Sequence, residues 1–364
     1  MSVNLVVQTA FLGDLLLSIP LFKRTRLLWP EQKIFLVCRK GFGEFFKKLD
    51  LVDEVFEITK GNAATYERIQ AELSRYQIER VISPHESFRT AWLCRPLDAK
   101  VKVSFSHWWN EWIFTESITK PQHLPDAIRQ LSLLTPFDQE LKRLIQDYDE
   151  TQVPYAKSEK GQLTMPPAWA SMSLRDKFLS DTKEWQTTQE RLKLAPFSDQ
   201  TVLIFPGSVW ATKRWTEQGF IDATKKIAEL APVYIMGGPG EEELCERVAQ
   251  AAGVRSLCGQ TSVYQSALLM SRSSLVIAND SASGHLAAVA QVPLLSIFGP
   301  TVLDFGYRPW TGHAYVMEVE GLPCRPCGKH GHKECPIKTH QCMKDISSEQ
   351  VINLARQLLS TPSR

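Results

Sequence analysis

Short apolar runs alternate with helix-like segments along most of this chain, a pattern typical of parallel α/β units. In the first half, the apolar runs predict strands at residues 3–8, 33–38, 55–58 and 80–83, separated by amphipathic helices at 15–28, 44–49 and 66–76. A second series predicts strands at 202–205, 233–236, 275–278 and 294–298, with helices at 217–230, 241–252, 264–270, 283–290 and 348–359. The pattern therefore predicts two Rossmann-like halves.

The stretch between the two series is polar and irregular. From about residue 140 to residue 198 it carries scattered charges and a Pro166-Pro167 pair, and a helical run follows at 174–192. Such a composition is typical of an interdomain connection. We therefore predict an N-terminal domain of residues 1–165, a connection of residues 166–198 and a C-terminal domain of residues 199–345.

The composition limits the classes of partner. A length of 364 residues suits two domains, and a formal net charge of +2 gives no reason to expect a nucleic-acid partner. The positive charge is local, since residues 1–48 carry eight Lys or Arg against three acids. This basic stretch suits an anionic acceptor or a membrane surface, or it is a solvated face. No apolar stretch is long enough to span a bilayer and Asp14 interrupts the apolar N-terminus, so we predict a cytoplasmic protein.

Asp14 stands where the first strand gives way to a helix, which is where Rossmann-type folds place active groups. A carboxylate there can accept a proton from an attacking hydroxyl. It can equally cap the helix by accepting a backbone N–H. Spacing alone leaves both interpretations open.

Lys213 follows a strand and a Pro-Gly turn. A diphosphate leaving group needs positive charge as its bond to a sugar breaks, and a fixed ammonium supplies it where no metal does. A lone lysine in a loop is otherwise ordinary surface.

A second strand-to-helix turn carries small residues at 279–284, followed by His285. Small residues let backbone N–H groups approach phosphate oxygens at a helix N-terminus. Asp280 could also be a helix cap, and His285 a core histidine. Glu241 and Glu242 follow a third, glycine-rich turn, where a carboxylate can bind ribose hydroxyls. Dinucleotide and Walker A glycine patterns are absent, which argues against a dehydrogenase or an NTPase.

Three other segments carry candidate chemistry. Asp147 and Asp149 form an Asp-x-Asp pair without a preceding apolar strand, so we predict no catalytic metal. Four cysteines fall within residues 324–342, where the spacing leaves structural zinc, free thiols and a disulfide open: Cys324, Cys327, Cys335 and Cys342. The aromatic run at 106–114 suits a packed core, a lid or a membrane interface.

Together these turns resemble the motif series of the ADP-heptose:lipopolysaccharide heptosyltransferases, glycosyltransferase family 9. The resemblance rests on five segments in register, at residues 13–20, 206–215, 237–239, 279–288 and 298–301. It implies a GT-B fold, with two Rossmann-like domains facing across a cleft and a C-terminal helix, residues 346–364, packing toward the N-terminal domain. It also implies an inverting transfer of heptose from ADP-heptose to the inner core of lipopolysaccharide, at the inner face of the cytoplasmic membrane.

The resemblance assigns roles residue by residue. Asp14 matches the general base and Lys213 the phosphate-binding lysine, which gives the two catalytic candidates. The donor-binding candidates are Ser208, Thr212, Lys213, Glu241, Glu242, Asp280, Ser281, Ala282 and His285. Lys60, Ser87 and Arg89 are candidate acceptor contacts, because the implied lipid A–core acceptor carries carboxylates and phosphates.

Two alternatives remain open at this stage. A GT-B enzyme that uses another nucleotide sugar, or a nucleotide-sugar epimerase of similar architecture, would keep the C-terminal turns and change the sugar pocket. A non-catalytic ADP- or carbohydrate-binding protein would keep the helix-start site and have no need of Asp14. The run at 84–105 is closer to the enzymes that add the second heptose, while the acceptor position itself stays open.

Overall fold

Two parallel sheets organise the chain in the computed structural model, which describes residues 2–151, 155–194, 197–198 and 200–360. The first sheet contains β1 (Ser2–Val7), β2 (Lys33–Arg39), β3 (Glu54–Ile58), β4 (Gln77–Ser83), β5 (Ala99–Phe105) and β6 (Glu116–Ile118). The second contains β7 (Val202–Phe205), β8 (Val233–Ile235), β9 (Arg255–Ser256), β10 (Leu275–Asn279), β11 (Leu294–Phe298) and β12 (Ala314–Glu318).

Helices connect the strands in both halves. Those of the first half are α1 (Leu12–Leu17), α2 (Ile19–Leu28), α3 (Gly43–Lys48), α4 (Ala63–Leu73), α5 (Phe88–Cys94), α6 (Asp126–Leu131) and α7 (Gln139–Thr151). Those that follow are α8 (Arg175–Ser180), α9 (Thr182–Leu192), α10 (Glu217–Ala228), α11 (Glu242–Ala252), α12 (Val263–Met270), α13 (Ala282–Ala290), α14 (Gln341–Lys344) and α15 (Ser348–Ser360).

The two sheets have the same strand order. The first runs β3-β2-β1-β4-β5-β6 and the second runs β12-β11-β10-β7-β8-β9. Each is therefore a doubly wound sheet, and the two orders match when the second is read from its opposite edge. The order reverses between β1 and β4 in one sheet and between β7 and β10 in the other. Loops at the carboxyl ends of these four strands therefore lie at the positions where α/β sheets bind ligands. The prediction of an α/β fold with two Rossmann-like domains is confirmed.

Each half buries its own core. Strands buried on both faces are continuous apolar runs, as in Leu275–Asn279, where every residue is buried. One core joins β1, β2 and β4 to α4 and α5, around residues such as Leu5, Val37 and Val81. The other joins β7, β10 and β11 to α10, α11 and α15.

The chain divides into two compact units at positions different from the predicted boundaries. Unit 1 comprises Met1–Pro154 and Pro167–Met172, and unit 2 comprises Tyr155–Pro166 and Ser173–Arg364. Residues 155–166 belong to unit 2 because Leu163 N–H bonds the Ala314 carbonyl and Val316 N–H bonds the Gly161 carbonyl, beside β12. The predicted connection, residues 166–198, is thus shared between the two units.

One further segment differs from the sequence interpretation. The polar stretch that starts at residue 140 is not irregular at its beginning, because residues 140–151 lie in helix α7, and Asp149 on this helix accepts a 2.8 Å hydrogen bond from His123. The last helix, α15, buries Val351, Ile352 and Ala355 in the core of unit 2, and its packing toward the N-terminal domain, as part of residues 346–364, stays a prediction. Residues 361–364 of that predicted segment lie outside the described residues.

Candidate functional site

Asp14 lies in the first turn of α1, directly after β1 at the reversal point of the first sheet. Its Oδ2 accepts a 3.2 Å hydrogen bond from the Phe11 backbone N–H, so the carboxylate does cap the helix. Only one oxygen is used in this way, and the side chain keeps partial solvent exposure. The structure thus permits the cap and the base interpretation at once, because a carboxylate has two oxygens.

A buried network fixes this helix start. Gln130 Nε2 donates to the Asp14 carbonyl at 3.0 Å and to Asp126 Oδ2 at 2.7 Å. Gln130 Oε1 in turn accepts from Ser18 and Gln8. Every polar atom of the Gln130 amide is therefore engaged, and a second carboxyl, Asp126, is held close to Asp14.

Burial, and after it the negative charge of Asp126, raises the pKa of Asp14 to about 6. A carboxyl in such surroundings is still ionised at neutral pH and is a stronger proton acceptor than a solvated one. Lys120 acts in the opposite direction and lowers the pKa of Asp14. Asp126 is a contributor that the sequence analysis missed.

We expect activity to fall as pH is lowered through about 6, because protonation removes the base form of Asp14. Asp126→Asn removes the neighbouring negative charge, which lowers the pKa of Asp14. The fall in activity at the acidic end of the pH profile then moves to lower pH. The measurement is kcat/KM against pH for both proteins. If Asp126 only supported the fold, the variant would lose thermal stability and would lose activity at all pH values. The pH at which activity falls would then stay the same.

Cations gather around Phe11, at the start of α1. Arg39, at the end of β2, donates from Nε to the Thr9 carbonyl at 2.7 Å and places its guanidinium 4.2 Å from the centre of the Phe11 ring. Lys60 lies 5.9 Å from the same ring, and burial together with Arg39 and Arg89 lowers the pKa of Lys60. Three cations that influence one another, the first of them under the charge of Asp14, form a surface suited to an anionic ligand.

Two of the predicted acceptor residues, Lys60 and Arg89, therefore belong to one cationic group, to which the structure adds Arg39. Arg39 could have been suspected from its position at the carboxyl end of a strand. Ser87 is instead the N-cap of α5, accepting a 3.2 Å hydrogen bond from the Thr90 N–H. That contact occupies its hydroxyl oxygen as an acceptor, so Ser87 is less available to a ligand than the sequence suggested.

In unit 2, Asn279 joins the loops that follow β7 and β10. Its side chain accepts from the Trp215 N–H at 2.9 Å and donates to the Pro206 and Gly207 carbonyls at 2.8 and 3.2 Å. The loop bearing Ser208 and Lys213 is thereby held against the loop bearing Asp280. Both loops lie at the reversal point of the second sheet.

Lys213 and Asp280 form the charged centre of this arrangement. Lys213 Nζ lies 2.5 Å from Asp280 Oδ2, which also accepts a 2.6 Å hydrogen bond from the Thr301 hydroxyl. Both side chains are mostly buried, at 14% and 8% exposure. A lysine held in this way is a preorganised positive charge for a phosphate oxygen.

The start of α13 follows directly. Its N-cap, Ser281, makes no side-chain capping bond, because its hydroxyl pairs with Ser283 at 2.7 Å. Uncapped N–H groups at a helix N-terminus are suited to phosphate oxygens, as predicted for residues 280–282. His285, one turn further, is buried, and burial lowers its pKa to about 4, so the ring is neutral at pH 7.

The structure separates the two candidate ribose-binding acids. A Cβ at Gly207 would meet the Glu241 carboxylate at 2.1 Å, so Glu241 lies directly against the Ser208 loop. Glu242 turns away, accepting from the Gly240 N–H at 2.7 Å and approaching Gly259. Glu241 is therefore the acid that faces the donor-side loops.

Glu241→Gln should weaken ADP binding by roughly tenfold or more, the effect of losing a charge-assisted hydrogen bond to a hydroxyl. Both carboxylates accept a backbone N–H of the glycine-rich turn, Glu241 from Gly238 and Glu242 from Gly240, but Glu241 is the one against the Ser208 loop. Glu242→Gln is therefore the matched control and should change affinity by less than about threefold. Isothermal titration with ADP measures both. Equal losses in the two variants would contradict the assignment of Glu241.

Thr212 makes contacts that the sequence did not predict. Its hydroxyl donates to the His332 carbonyl at 2.9 Å and accepts from the His332 N–H at 2.7 Å. His340 Nε2 lies 2.9 Å from the Thr212 carbonyl, and the Cys327 N–H bonds the Pro300 carbonyl. The cysteine-rich segment, residues 324–342, is thus fastened to the loop bearing Lys213 and to the loop after β11, and direct donor binding by the Thr212 hydroxyl stays a prediction.

The four cysteines of this segment are free thiols in the structure. Across the described ranges, no three or more His, Cys, Asp or Glu side chains are grouped so that they could hold a metal ion. Cys327 Sγ instead donates to the Cys324 carbonyl at 2.9 Å. Zinc binding stays a prediction, for which elemental analysis of the purified protein is the test.

A comparison with protein families identifies the family of this chain. The family model of glycosyltransferase family 9 (heptosyltransferase) matches residues 66–338. The chain belongs to glycosyltransferase family 9. The prediction of the family is confirmed.

Relatives and solved structures agree with the family. Lipooligosaccharide heptosyltransferase 2 of Campylobacter jejuni is 34% identical over 42% of this chain, although the match spans about half, 49%, of that relative. Lipooligosaccharide heptosyltransferase 2 of Haemophilus influenzae is 23% identical over 98% of this chain and 99% of its own length. The solved Escherichia coli ADP-heptose lipopolysaccharide heptosyltransferase II aligns over 99% of this chain and 98% of its own, with a TM-score of 0.72 and 19% identity. That likeness confirms the GT-B fold class.

Proposed function

We propose that this family 9 protein is an inverting transferase that moves heptose from ADP-heptose to the inner core of lipopolysaccharide. The observation that carries the proposal is the buried Lys213–Asp280 pair at the reversal point of the second sheet, beside the uncapped start of α13. A diphosphate finds there a fixed ammonium and free N–H groups. The relatives named as lipooligosaccharide heptosyltransferases support heptose as the sugar.

In the proposed reaction, Asp14 takes the proton of an acceptor hydroxyl while that oxygen attacks the anomeric carbon of heptose. The bond from that carbon to the diphosphate breaks, and its electrons leave with ADP. Lys213 and the N–H groups at residues 281–282 stabilise the charge that develops on the departing phosphate. Arg39, Lys60 and Arg89 bind anionic groups of the acceptor, which orients its hydroxyl toward Asp14.

The proposal places the protein at the inner face of the cytoplasmic membrane, as a peripheral protein. No helix in the described part of the chain has both the length and the apolar character needed to cross a bilayer. The proposed acceptor is anchored in that membrane by lipid A, so the protein must reach the membrane surface to act.

The test is to incubate the purified protein with ADP-heptose and defined truncated cores and to detect the product by mass. We expect one heptose to be added to a core that already carries the first heptose, because residues 84–105 are closer to the enzymes that add the second heptose. Relatives named for the first and third heptose also match this chain, so cores ending at each position must be included. Transfer from another nucleotide sugar, or ADP binding without transfer, would overturn the proposal in favour of one of its alternatives.

A further inference from the structure

Unit 1 exposes aromatic rings on one stretch of its surface. Phe88 and Trp92 on α5 are 58% and 49% exposed, and Trp108 and Trp112, in the loop after β5, are 87% and 58% exposed. Exposed tryptophans grouped in this way are unusual on a soluble domain, where large exposed apolar patches mark interaction sites. We call this group, together with Arg95 and Trp109, the aromatic strip.

Ring contacts make the strip continuous. Phe88 stacks on Trp92 with ring centres 6.0 Å apart, and its other neighbour, Trp109, lies at the same distance. The Arg95 guanidinium lies 4.8 Å from the Trp92 ring and 5.0 Å from the Trp112 ring, so one cation links two indoles. The rings are therefore held in place without being buried.

The strip leads to Asp14. Trp109 stacks on His107 at 5.3 Å, and His107 Nε2 lies 2.9 Å from Glu86 Oε1. The other oxygen of Glu86 pairs with Lys120, whose charge lowers the pKa of Asp14. Side-chain contacts thus run from the strip to Lys120, whose charge acts on the proposed base.

Cations border the strip where it approaches Asp14. Arg89 follows Phe88 in α5, and its charge lowers the pKa of Lys60, as does that of Arg39. Phe11, itself 44% exposed, lies beneath Arg39. Exposed Glu111, next to Trp112, offsets part of this positive charge. The rings must therefore supply most of the attraction between the strip and a ligand surface.

We propose that the aromatic strip docks unit 1 on an anionic lipid bilayer. Indole rings favour the boundary between headgroups and acyl chains, and Arg and Lys favour lipid phosphates. The inference rests on the proposed function in one respect: an acceptor anchored in lipid requires a membrane-docking surface in the unit that carries Asp14. Docking brings the base to the surface in which that acceptor is held.

Vesicle binding tests the docking without any reaction. The full chain is sedimented with vesicles of phosphatidylglycerol and phosphatidylcholine, and with vesicles of phosphatidylcholine alone. The triple variant Trp92→Ala, Trp108→Ala, Trp112→Ala should bind the anionic vesicles on the order of tenfold less tightly than the unmodified protein. Trp108→Ala alone, at a residue too exposed to support the fold, should show a smaller loss in the same direction.

The control variant is Leu27→Ala with Leu230→Ala, which removes exposed apolar side chains outside the strip (66% and 48% exposed). It should bind vesicles as the unmodified protein does. Equal losses in control and test variants, or unchanged binding by the triple variant with its fold intact by circular dichroism, would overturn the proposal.

A second measurement separates lipid docking from sugar stacking on the same rings. The triple variant should raise KM by about tenfold for an acceptor in vesicles and leave KM for the deacylated, soluble acceptor within about twofold. A similar rise for both acceptors would mean that the rings bind acceptor sugars, and docking would be rejected. Absence of transfer to either acceptor would count against the proposed function, while the vesicle result would still decide the docking.

Discussion

Asp14→Asn should reduce heptose transfer by roughly two to four orders of magnitude, the usual contribution of a general base. The amide keeps the size of the side chain and can still accept the Phe11 N–H through its oxygen, but it cannot take up a proton. The measurement is kcat with ADP-heptose and a truncated core, at saturating concentrations of both.

Two further readouts show whether this loss is chemical. ADP affinity should be unchanged, because Asp14 bonds Phe11, Ser18 and Gln130, which all lie within unit 1. The melting temperature at pH 7 should not fall, since ionised Asp14 has a raised pKa and its charge opposes folding above that pKa. Asp98→Asn, at an exposed acid of the same unit, is the control and should keep full activity. Turnover by Asp14→Asn within about tenfold of the unmodified protein would remove Asp14 from the proposed role.

Lys213→Ala should lower kcat/KM for the donor by roughly a hundredfold or more and weaken ADP binding in parallel. Two effects act together. The phosphate loses its ammonium partner, and Asp280, relieved of Lys213, presents an uncompensated negative charge to an anionic ligand. Titration calorimetry with ADP and steady-state kinetics measure the two consequences.

The pair offers a sharper test than the single variant. Asp280→Asn placed on Lys213→Ala removes the repulsion, so the double variant should bind ADP more tightly than Lys213→Ala alone. Lys226→Ala, at a lysine of α10 that is 54% exposed, is the matched control and should bind ADP normally. If Lys213→Ala bound ADP as tightly as the unmodified protein, Lys213 would have no part in holding the phosphates.

The positions of Asp14 and Lys213 could be predicted because each follows a short apolar strand closely in sequence. A strand and the turn after it are local features, and the fold places such turns at one edge of the sheet. Asp126 could not be found in this way, because it reaches Asp14 through Gln130, 116 residues away along the chain. The contact of Thr212 could not be predicted either, because its hydroxyl bonds His332, which is 120 residues away along the chain.

The domain boundaries show a second limit. Composition marks where a chain turns polar, but polar residues also form exposed helices, and α7 is one of them. Residues 155–166 return to unit 2 through backbone hydrogen bonds beside β12, and backbone bonds depend little on side-chain identity. Hydrophobic periodicity therefore found the central strands of both sheets and missed the crossings between the units.

The fastening of residues 324–342 to Thr212 and Pro300 has a practical consequence for handling the protein. Gly331, with φ +76°, lies so close to this loop that a Cβ there would be 3.0 Å from the Thr212 hydroxyl, so the fit leaves little room for added bulk. Oxidation or alkylation of the neighbouring thiols would push the segment away and disturb Lys213 with it. Protein purified without reductant would then appear inactive, although only the segment that supports its Lys213 loop had moved.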